Sequence, residues 1–378
     1  MRIIRDYIYV EPQDRGASAA IGNFDGVHIG HQSVIELARS AGAKIGAPLG
    51  VMSFEPHPRE YFTPQSPAFR LMSREARATR LTKLGVAHLY ELNFNAALSA
   101  LSPQDFAQQV IADGLGLKHI VVGADFCFGK GRAGNVQMLQ EFGAQMGFGV
   151  TIAPLLENTG GQVSSTSIRQ ALGDGRPQDA AAQLGHWHRI EGPVIGGEQR
   201  GRDLGYPTAN MSMDGLHLPK FGVYAVLVDV QDGPHAGSYH GAASLGVRPM
   251  FGINTANLET FIFDFSGDLY GATLSVGLVE FLRPELKFDT LQELITQMDA
   301  DCLQARSILS KCRLRTRSSP TACPPSFGNL SHSTHLLLNT GQRFDKAGDK
   351  AAIPTLKRKT TARLPDNPKP SVCVTAKR

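Results

Sequence analysis

Short apolar runs alternate with amphipathic segments through the first half of the chain. The apolar runs lie at residues 19–24, 49–54, 120–123 and 149–153. Between them, helical spacing appears at residues 31–42, 73–84 and 102–115. The last of these segments has Ser102 in the N-cap position and Pro103 in the first turn, as helix starts often do. This alternation predicts a parallel β-sheet flanked by helices.

After about residue 184 the pattern changes to closely spaced β-rich runs separated by Gly and Pro turns. These runs lie at residues 222–230, 241–247, 258–265 and 273–281, without helical segments between them. They predict a small barrel or sandwich. Residues 290–309 carry apolar side chains at helical spacing and predict one closing helix. From Lys311 onward no periodicity is sustained, and the composition predicts a disordered tail.

Composition and charge narrow the class of protein. The chain has 378 residues, of which 42% are hydrophobic. No stretch reaches the roughly 18 to 20 apolar residues of a membrane span, and charges at the start argue against a signal peptide, so we expect a cytoplasmic protein without membrane contact. Residues 311–378 hold 14 Lys and Arg against 3 Asp and Glu. The rest of the chain, the body at residues 1–310, therefore has a net charge of −7, although the whole chain has +4. An acidic body argues against a nucleic-acid partner.

The segment at residues 22–31 follows an apolar run and opens a helix, a place where unpaired N–H groups favour phosphate. Gly22 and Gly30 allow close approach of a ligand. His28 and His31 are three residues apart, so both imidazoles can project to one side. Such a pair suits charge stabilisation during in-line attack on the α-phosphate of ATP. The alternative is a glycine turn with two surface histidines.

Two further segments carry candidate chemistry. Residues 164–169 offer hydroxyls and a guanidinium for gripping phosphates, or merely a polar helix cap. Residues 192–210 end with Thr208 and Asn210, whose side-chain oxygens suit Mg²⁺. The alternative is that this segment is only a glycine-rich hairpin. Glu259, on a predicted strand, is a candidate general base for transfer of a phosphoryl group to an alcohol, although on pattern alone an exposed strand carboxylate is the simpler interpretation.

Several motifs in order resemble those of the bacterial bifunctional riboflavin kinase/FAD synthetase family. In the first half they are G-x-F-D-G-x-H-x-G-H at 22–31, F-E-P-H-P at 54–58, G-x-D-F-x-F-G at 123–129 and S-S-T-x-I-R at 164–169. In the second half they are the glycine-rich run ending in P-T-A-N at 192–210, the run at 259–271 and F-L-R-P-E at 281–285. The resemblance covers roughly residues 15–310 and implies an α/β nucleotidyltransferase-type, Rossmann-like domain at 1–185 and an all-β riboflavin kinase barrel with a C-terminal helix at 186–310. The tail at 311–378 lies outside it.

The resemblance also implies roles for individual residues. The catalytic residues would be His28, His31 and Glu259. Contacts to nucleotide would come from Gly22, Asn23, Phe24, Asp25, Gly30, Asp125, Ser164, Thr166, Arg169, Gly201, Thr208 and Asn210. Contacts to flavin or other substrate would come from Phe54, His57, Pro58, Phe126, Phe128 and Arg283. Thr208 and Asn210 would ligate Mg²⁺, with ATP as co-substrate and riboflavin, FMN and FAD as substrates or products.

Two positions depart from the family pattern. Cys127 stands where a polar residue is common, and we interpret it as a small buried hydrophobic side chain. Met250 removes a hydroxyl from a common R-P-T-F run, which leaves open a monofunctional FMN adenylyltransferase with an impaired kinase site. The third hypothesis is a non-catalytic regulator that binds flavin or nucleotide. The abrupt start of the tail at Lys311 suggests a shifted reading frame, and the oligomeric state stays open.

Overall fold

The computed structural model describes residues 1–154, 157–158, 161–196, 205–250 and 253–312. Gly201 and the tail beyond residue 312 lie outside this part of the chain, as does the side chain of Met250. The predictions for Gly201, for the tail and for the side chain of Met250 therefore lie outside the described residues. None of the helices within the described ranges is both long and apolar enough to cross a membrane.

A parallel sheet organises the described residues of the first half. Its strands are β1 (Arg2–Ile4), β2 (Ser18–Ile21), β3 (Leu49–Glu55), β4 (His88–Asn93), β5 (His119–Gly123) and β6 (Gly149–Ala153). Their order in the sheet is β1-β4-β3-β2-β5-β6, and every pair is parallel. Central strand β2 is buried at all four positions, because apolar layers cover both faces of the sheet. This confirms the predicted α/β class.

Helices connect these strands and cover the sheet. In the first half they are α1 (Ile29–Ile45), α2 (Pro58–Phe62), α3 (Arg74–Lys83), α4 (Ala96–Ala100), α5 (Pro103–Asp105), α6 (Val136–Met146), α7 (Ser165–Gly173) and α8 (Pro177–Leu184). Short 3₁₀ turns lie at Pro12–Asp14 and Lys130–Arg132, and a two-stranded hairpin pairs β7 (Glu157–Asn158) with β8 (Gly161–Gln162). Because parallel strands end at one edge, the loops after β2, β3 and β5 meet there.

Several predicted boundaries were wrong. The strand predicted at 19–24 ends at Ile21, because Phe24 takes a left-handed conformation with φ 53°. The helix predicted at 31–42 runs from Ile29 to Ile45. The helix predicted at 102–115 is capped by Ser102 as expected, but Phe106–Gly114 is a π-helix, in which Leu115 N–H bonds to the Val110 carbonyl at 2.9 Å.

An antiparallel sheet forms the described residues of the second half. Its strands are β9 (His188–Pro193), β10 (Thr208–Ser212), β11 (Gly222–Val230), β12 (Gly237–Met250), β13 (Ile253–Ile262) and β14 (Thr273–Arg283), in the order β10-β13-β12-β11-β14-β9. Ile195 N–H donates to the Asn210 carbonyl at 2.9 Å, which joins the end of β9 back to β10. The sheet thereby closes around an apolar interior and confirms the predicted barrel.

The closing helix α9 (Leu291–Leu309) packs on the outside of the barrel. Thr290 caps it, as the predicted boundary of 290–309 requires, and Ala305 and Leu309 are buried against the sheet. The Arg283 guanidinium grips the Asp301 carboxylate of the helix through Nε at 2.9 Å and Nη2 at 2.7 Å. Asp301 is only 4% exposed, so this ion pair anchors α9 to the end of β14.

Removing the Asp301 carboxylate should destabilise the barrel. Asp301→Ala leaves the Arg283 charge partly buried without its partner, and we expect the free energy of unfolding to fall by about 3 kcal/mol. Chemical denaturation measures this loss. The matched control is Gln304→Ala, at an exposed position of the same helix, which should change stability by less than about 0.5 kcal/mol. Equal effects of the two substitutions would contradict the anchoring role.

Candidate active sites

A cavity of about 700 Å³ opens at the carboxyl edge of the parallel sheet. It lies where the loops after β2, β3 and β5 meet the start of α7. Most residues predicted for the first site line it, namely Gly22, Asn23, Phe24, Asp25, His28, Gly30, His31, Phe54, His57, Pro58, Asp125, Phe126, Phe128, Ser164 and Arg169. Thr166 does not line the cavity, and its hydroxyl accepts a hydrogen bond from Arg169 Nη2 at 3.4 Å.

The loop between β2 and α1 has an unusual backbone. Phe24, Gly26 and Val27 all have positive φ, at 53°, 83° and 43°. A side chain at Gly26 would place its Cβ 2.8 Å from Leu71 Cδ1, so both the conformation and the packing demand glycine there. Non-glycine residues in this region carry strain that the surroundings must offset. The loop is therefore fixed by its contacts, and it places His28 at the N-cap of α1.

The two histidines form a stacked pair at the start of α1. Their ring centroids lie 3.6 Å apart, and the planes are inclined by 18°. His28 is the N-cap rather than a helical residue, and its Nδ1 accepts a hydrogen bond from His31 N–H at 3.3 Å. Since Nδ1 accepts, the proton of the neutral ring lies on Nε2. Gly30 leaves room for this ring, because a Cβ at that position would lie 3.1 Å from it.

Both imidazoles are neutral at physiological pH. Burial lowers the pKa of His28 to about 4. Burial, together with the neighbouring His28, lowers the pKa of His31 well below its ordinary value. Among the described residues, His31 Nδ1 is buried without a hydrogen-bond partner. His28 therefore presents its Nε2–H at a helix N-terminus, an arrangement that favours a bound anion.

Asp25 connects the loop between β2 and α1 to neighbouring elements through hydrogen bonds. Its Oδ1 accepts a hydrogen bond from Leu71 N–H at 2.7 Å, and its Oδ2 pairs with Arg169 Nη1 at 3.0 Å. Its backbone carbonyl accepts from the Ser165 hydroxyl at 3.0 Å. Burial raises the pKa of Asp25 to about 6, against the opposing effect of the Arg169 charge. The carboxylate thus ties the loop to α7 and to the residues before α3.

Two groups of phenylalanine rings line the cavity. In one group the Phe54 and Phe62 rings lie edge-on to Phe94, with centroids 5.8 and 5.7 Å away. In the other the Phe126 and Phe128 rings stack at 5.7 Å with planes inclined by 13°. Aromatic walls of this kind accommodate a flat, fused-ring ligand.

The cavity also contains residues that the sequence did not indicate. Arg59, Phe62, Phe69, Phe94 and Arg132 line it, but none of them was singled out by spacing or motif. The guanidinium of Arg59 lies 4.6 Å from the centre of the Phe69 ring. The only available signal was that Arg59 directly follows the F-E-P-H-P run.

The interpretation of Cys127 as a buried hydrophobic side chain was wrong. The thiol is exposed, lines the cavity and points its Sγ at the Asp125 carbonyl, 3.6 Å away. It lies on the loop after β5, where the chain turns at the sheet edge instead of packing beneath it. The physical reason is thus the topology, which places this loop at the mouth of the site.

The second group of predicted residues meets on the outer face of the barrel. Asn210 of β10 lies directly opposite Glu259 of β13, and Ser244 of β12 lies opposite Glu259 on its other side. Residues opposite each other in antiparallel strands project to the same face. Thr208, two residues from Asn210, shares that face. Glu259 is half-buried there.

The oxygen donors on this face fit a hard divalent cation. Asn210 is 9% exposed, and its Oδ1 accepts a hydrogen bond from Asn257 Nδ2 at 2.7 Å. A carbonyl oxygen has a second lone pair, so a ligand role remains open to it. Within the described ranges no group of three or more His, Cys, Asp and Glu could hold a metal by itself, so a cation here would need phosphate or water ligands as well.

Arg283 lies apart from this group. It is on β14, which β11 and β12 separate from β13, a distance of roughly 14 Å at the usual strand spacing. Its guanidinium is occupied by Asp301 and by the Pro284 carbonyl. The structure therefore does not place Arg283 beside Glu259.

Comparison with known proteins matches the two halves of the chain to two different family models. A family model for FAD synthetase matches residues 10–167, and one for riboflavin kinase matches residues 184–309. The chain is 41% identical over 309 residues to the bifunctional riboflavin kinase/FMN adenylyltransferase of Pseudomonas fluorescens, a match that covers 82% of this chain and 98% of the relative. It is 36% identical over 296 residues to the protein of that name from Escherichia coli strain K12, covering 78% and 93%.

A solved structure shows a similar chain. A crystal structure described as a macrolide-efflux protein from Streptococcus pneumoniae superposes with a TM-score of 0.69 at 33% identity, covering 79% of this chain and 97% of that one. The match spans the parallel sheet and the barrel together. With tandem family models and relatives matched almost end to end, the chain belongs to the bifunctional riboflavin kinase/FMN adenylyltransferase family.

Proposed function

We propose that the chain catalyses two successive steps of flavin cofactor synthesis. In the first, the γ-phosphate of ATP passes to the ribityl hydroxyl of riboflavin and gives FMN and ADP. In the second, the FMN phosphate attacks the α-phosphorus of a second ATP and gives FAD and pyrophosphate. Family membership supports both activities. The observation that carries the second step is the neutral histidine pair at the start of α1, facing an aromatic-lined cavity.

The cavity of the parallel sheet suits adenylyl transfer. The attacking group is already a phosphate anion, so the protein needs no base and must instead stabilise charge on the α-phosphate. His28 Nε2–H and the open N–H groups of the α1 terminus are donors for that charge. The phenylalanine rings would hold the isoalloxazine ring, and Arg59 and Arg132 would add positive charge for the phosphates.

The outer face of the barrel suits phosphorylation of an alcohol. A hydroxyl is a poor acid, so transfer of a phosphoryl group to it is assisted by a nearby base. Glu259 is the carboxylate on the face that also carries Thr208 and Asn210. Mg²⁺ held by those two side chains would neutralise phosphate charge when bound. The chain's own part is to orient the acceptor hydroxyl toward Glu259 and to accept its proton there.

One assay distinguishes the competing functions. Purified protein is incubated with riboflavin and Mg-ATP, or with FMN and Mg-ATP, and flavins are separated by chromatography. A bifunctional enzyme makes FMN and then FAD from riboflavin. If the protein makes FAD from FMN but no FMN from riboflavin, it is the monofunctional alternative, and Met250 is the first residue to test as the cause. If it makes neither FMN nor FAD, the result favours the non-catalytic regulator.

Substitution of His28 should separate the two steps. His28→Ala removes a donor to the developing phosphate charge, so FAD formation from FMN should fall by at least about 10²-fold. FMN formation from riboflavin should stay unchanged, because His28 lies in the other half of the chain. The same flavin assay measures both rates. His235→Ala, in the barrel, is the control and should alter neither; a loss of both activities in a folded His28→Ala protein would refute the division.

Substitution of Glu259 should have the converse effect. Glu259→Ala removes the base, and FMN formation should fall by roughly 10²- to 10⁴-fold. FAD formation from supplied FMN should be retained. The matched control is Glu280→Ala, another strand carboxylate of the same sheet. Normal FMN formation by Glu259→Ala would exclude Glu259 as the base.

The fall in the rate of FAD formation at acid pH, the acid limb of its pH profile, should reflect protonation of Asp25. Its pKa is raised to about 6 by burial, so below pH 6 the carboxylate takes up a proton and loses its ion pair with Arg169. His28 stays neutral to about pH 4 and contributes no limb above pH 5. We expect kcat/KM for FAD formation to fall below pH 6, and Asp25→Asn to be slower with a less steep fall, because it lacks one of the two ionisations; the phosphate of FMN, with a second pKa of about 6, supplies the other in both proteins. An equally steep fall in Asp25→Asn would assign the limb to groups other than Asp25.

A further inference from the structure

The segment of residues 216–220, here named the junction segment, connects β10 to β11 and belongs to the barrel. Leu216 is 7% exposed and is part of the apolar interior of the barrel. Its N–H donates to the Met213 carbonyl at 3.1 Å, and Met213 N–H donates to the Ala256 carbonyl of β13 at 3.3 Å. The start of the junction segment is therefore fixed to the barrel wall.

The same segment bonds directly to the first half of the chain. Leu216 forms a parallel β-bridge with Arg70, and His217 N–H donates to the Arg70 carbonyl at 2.8 Å. The His217 ring lies with Nε2 at 3.0 Å from the Arg169 carbonyl. Lys220 N–H donates to the Leu172 carbonyl at 3.0 Å. Three hydrogen bonds thus run from the described part of this segment to α7 and to the residues before α3.

The anchored residues are those that hold Asp25. Arg169 pairs with Asp25 Oδ2, and Leu71, the residue after Arg70, donates its N–H to Asp25 Oδ1. Asp25 is 8% exposed and lies three residues before His28. His217 is the residue that contacts both sides, through its N–H on the Arg70 side and its ring on the Arg169 side.

The His217 ring acts here as a donor. A carbonyl oxygen can only accept, so the bond to Arg169 requires the proton on Nε2. Burial lowers the pKa of His217, which favours the neutral ring, and the hydrogen bond to the Arg169 carbonyl selects the tautomer with the proton on Nε2. The bond is backbone-directed, so it orients α7 itself and not one rotamer of Arg169.

We propose that His217, although it belongs to the kinase barrel, is a positioning residue for the adenylylation site. It holds α7 and the strand-like segment at Arg70 at the spacing that Asp25 bridges, and Asp25 in turn fixes the loop that presents His28. The inference rests on the proposed adenylylation function. It makes the first site dependent on the second half of the chain.

Two variants of the full-length protein test this role. His217→Leu removes the donor with little change in bulk, and His217→Gln places an amide N–H close to the position of Nε2. Because small misplacements near a reacting centre are costly, we expect His217→Leu to lower kcat/KM for FAD formation from FMN on the order of 10-fold. FMN formation from riboflavin should stay within about 2-fold of wild type, since the donor set of that site is untouched.

Rescue distinguishes positioning from general stability. His217→Gln should recover FAD formation to within about 3-fold of wild type, because the amide donor restores one hydrogen bond. His235→Leu, the same exchange at a barrel histidine that contacts Phe265, should leave both activities unchanged. The proposal is overturned if His217→Leu matches wild type, if the Gln variant is as slow as the Leu variant, or if both activities fall together. Absence of FAD formation in wild type would instead reject the proposed function.

Discussion

The buried Asp25 carboxylate determines the geometry of the candidate site in the parallel-sheet half. Asp25 accepts hydrogen bonds from Leu71 N–H and Arg169, and it lies in a loop whose residues Phe24, Gly26 and Val27 have positive φ. Left-handed non-glycine residues cost on the order of 1–3 kcal/mol each, so the loop persists only because these contacts determine it. Without Asp25 the loop would relax, and His28 would lose its place at the start of α1. The positions of the histidine pair and of the helix end that we propose for phosphate binding are consequences of that restraint.

The two halves of the chain solve different chemical problems. Adenylyl transfer starts from an anionic nucleophile, and the first site supplies N–H donors, a helix N-terminus and neutral imidazoles in a cavity with aromatic walls. Phosphorylation of an alcohol starts from a neutral nucleophile, and the second site presents the Glu259 carboxylate beside the oxygen donors Thr208 and Asn210. The junction segment ties the two halves together at the residues that hold Asp25.

The sequence predicted elements best where local pattern decides them. Strand β11 and the N-cap of α9 at Thr290 lie where periodicity and capping place them. The strand at 19–24 was too long, because hydrophobicity does not report the left-handed turn at Phe24. The π-helix at Phe106–Gly114 was missed for a similar reason, since its apolar pattern is also that of an α-helix.

Most motif residues of the first half line the cavity, but the rest of its wall depends on tertiary structure. The residues at 22–31 and 123–129 meet because parallel strands end at one edge, which the α/β pattern already implied. Phe62, Phe69 and Arg59 reach the cavity through packing that no local spacing encodes. Cys127 is exposed because the topology places its loop at the mouth of the cavity. The contacts of His217 were also beyond sequence reasoning, because its partners Arg70 and Arg169 are far away in the chain.

A crystal structure with a non-hydrolysable ATP analogue and FMN tests the central claim most directly. The account predicts phosphate oxygens within hydrogen-bond distance of His28 Nε2 and of the N–H groups that begin α1, with the isoalloxazine ring among the phenylalanines of the cavity. Asp25 should keep its contacts to Leu71 and Arg169. A nucleotide bound elsewhere on the parallel-sheet half, with both imidazoles turned away from the phosphates, would contradict the account.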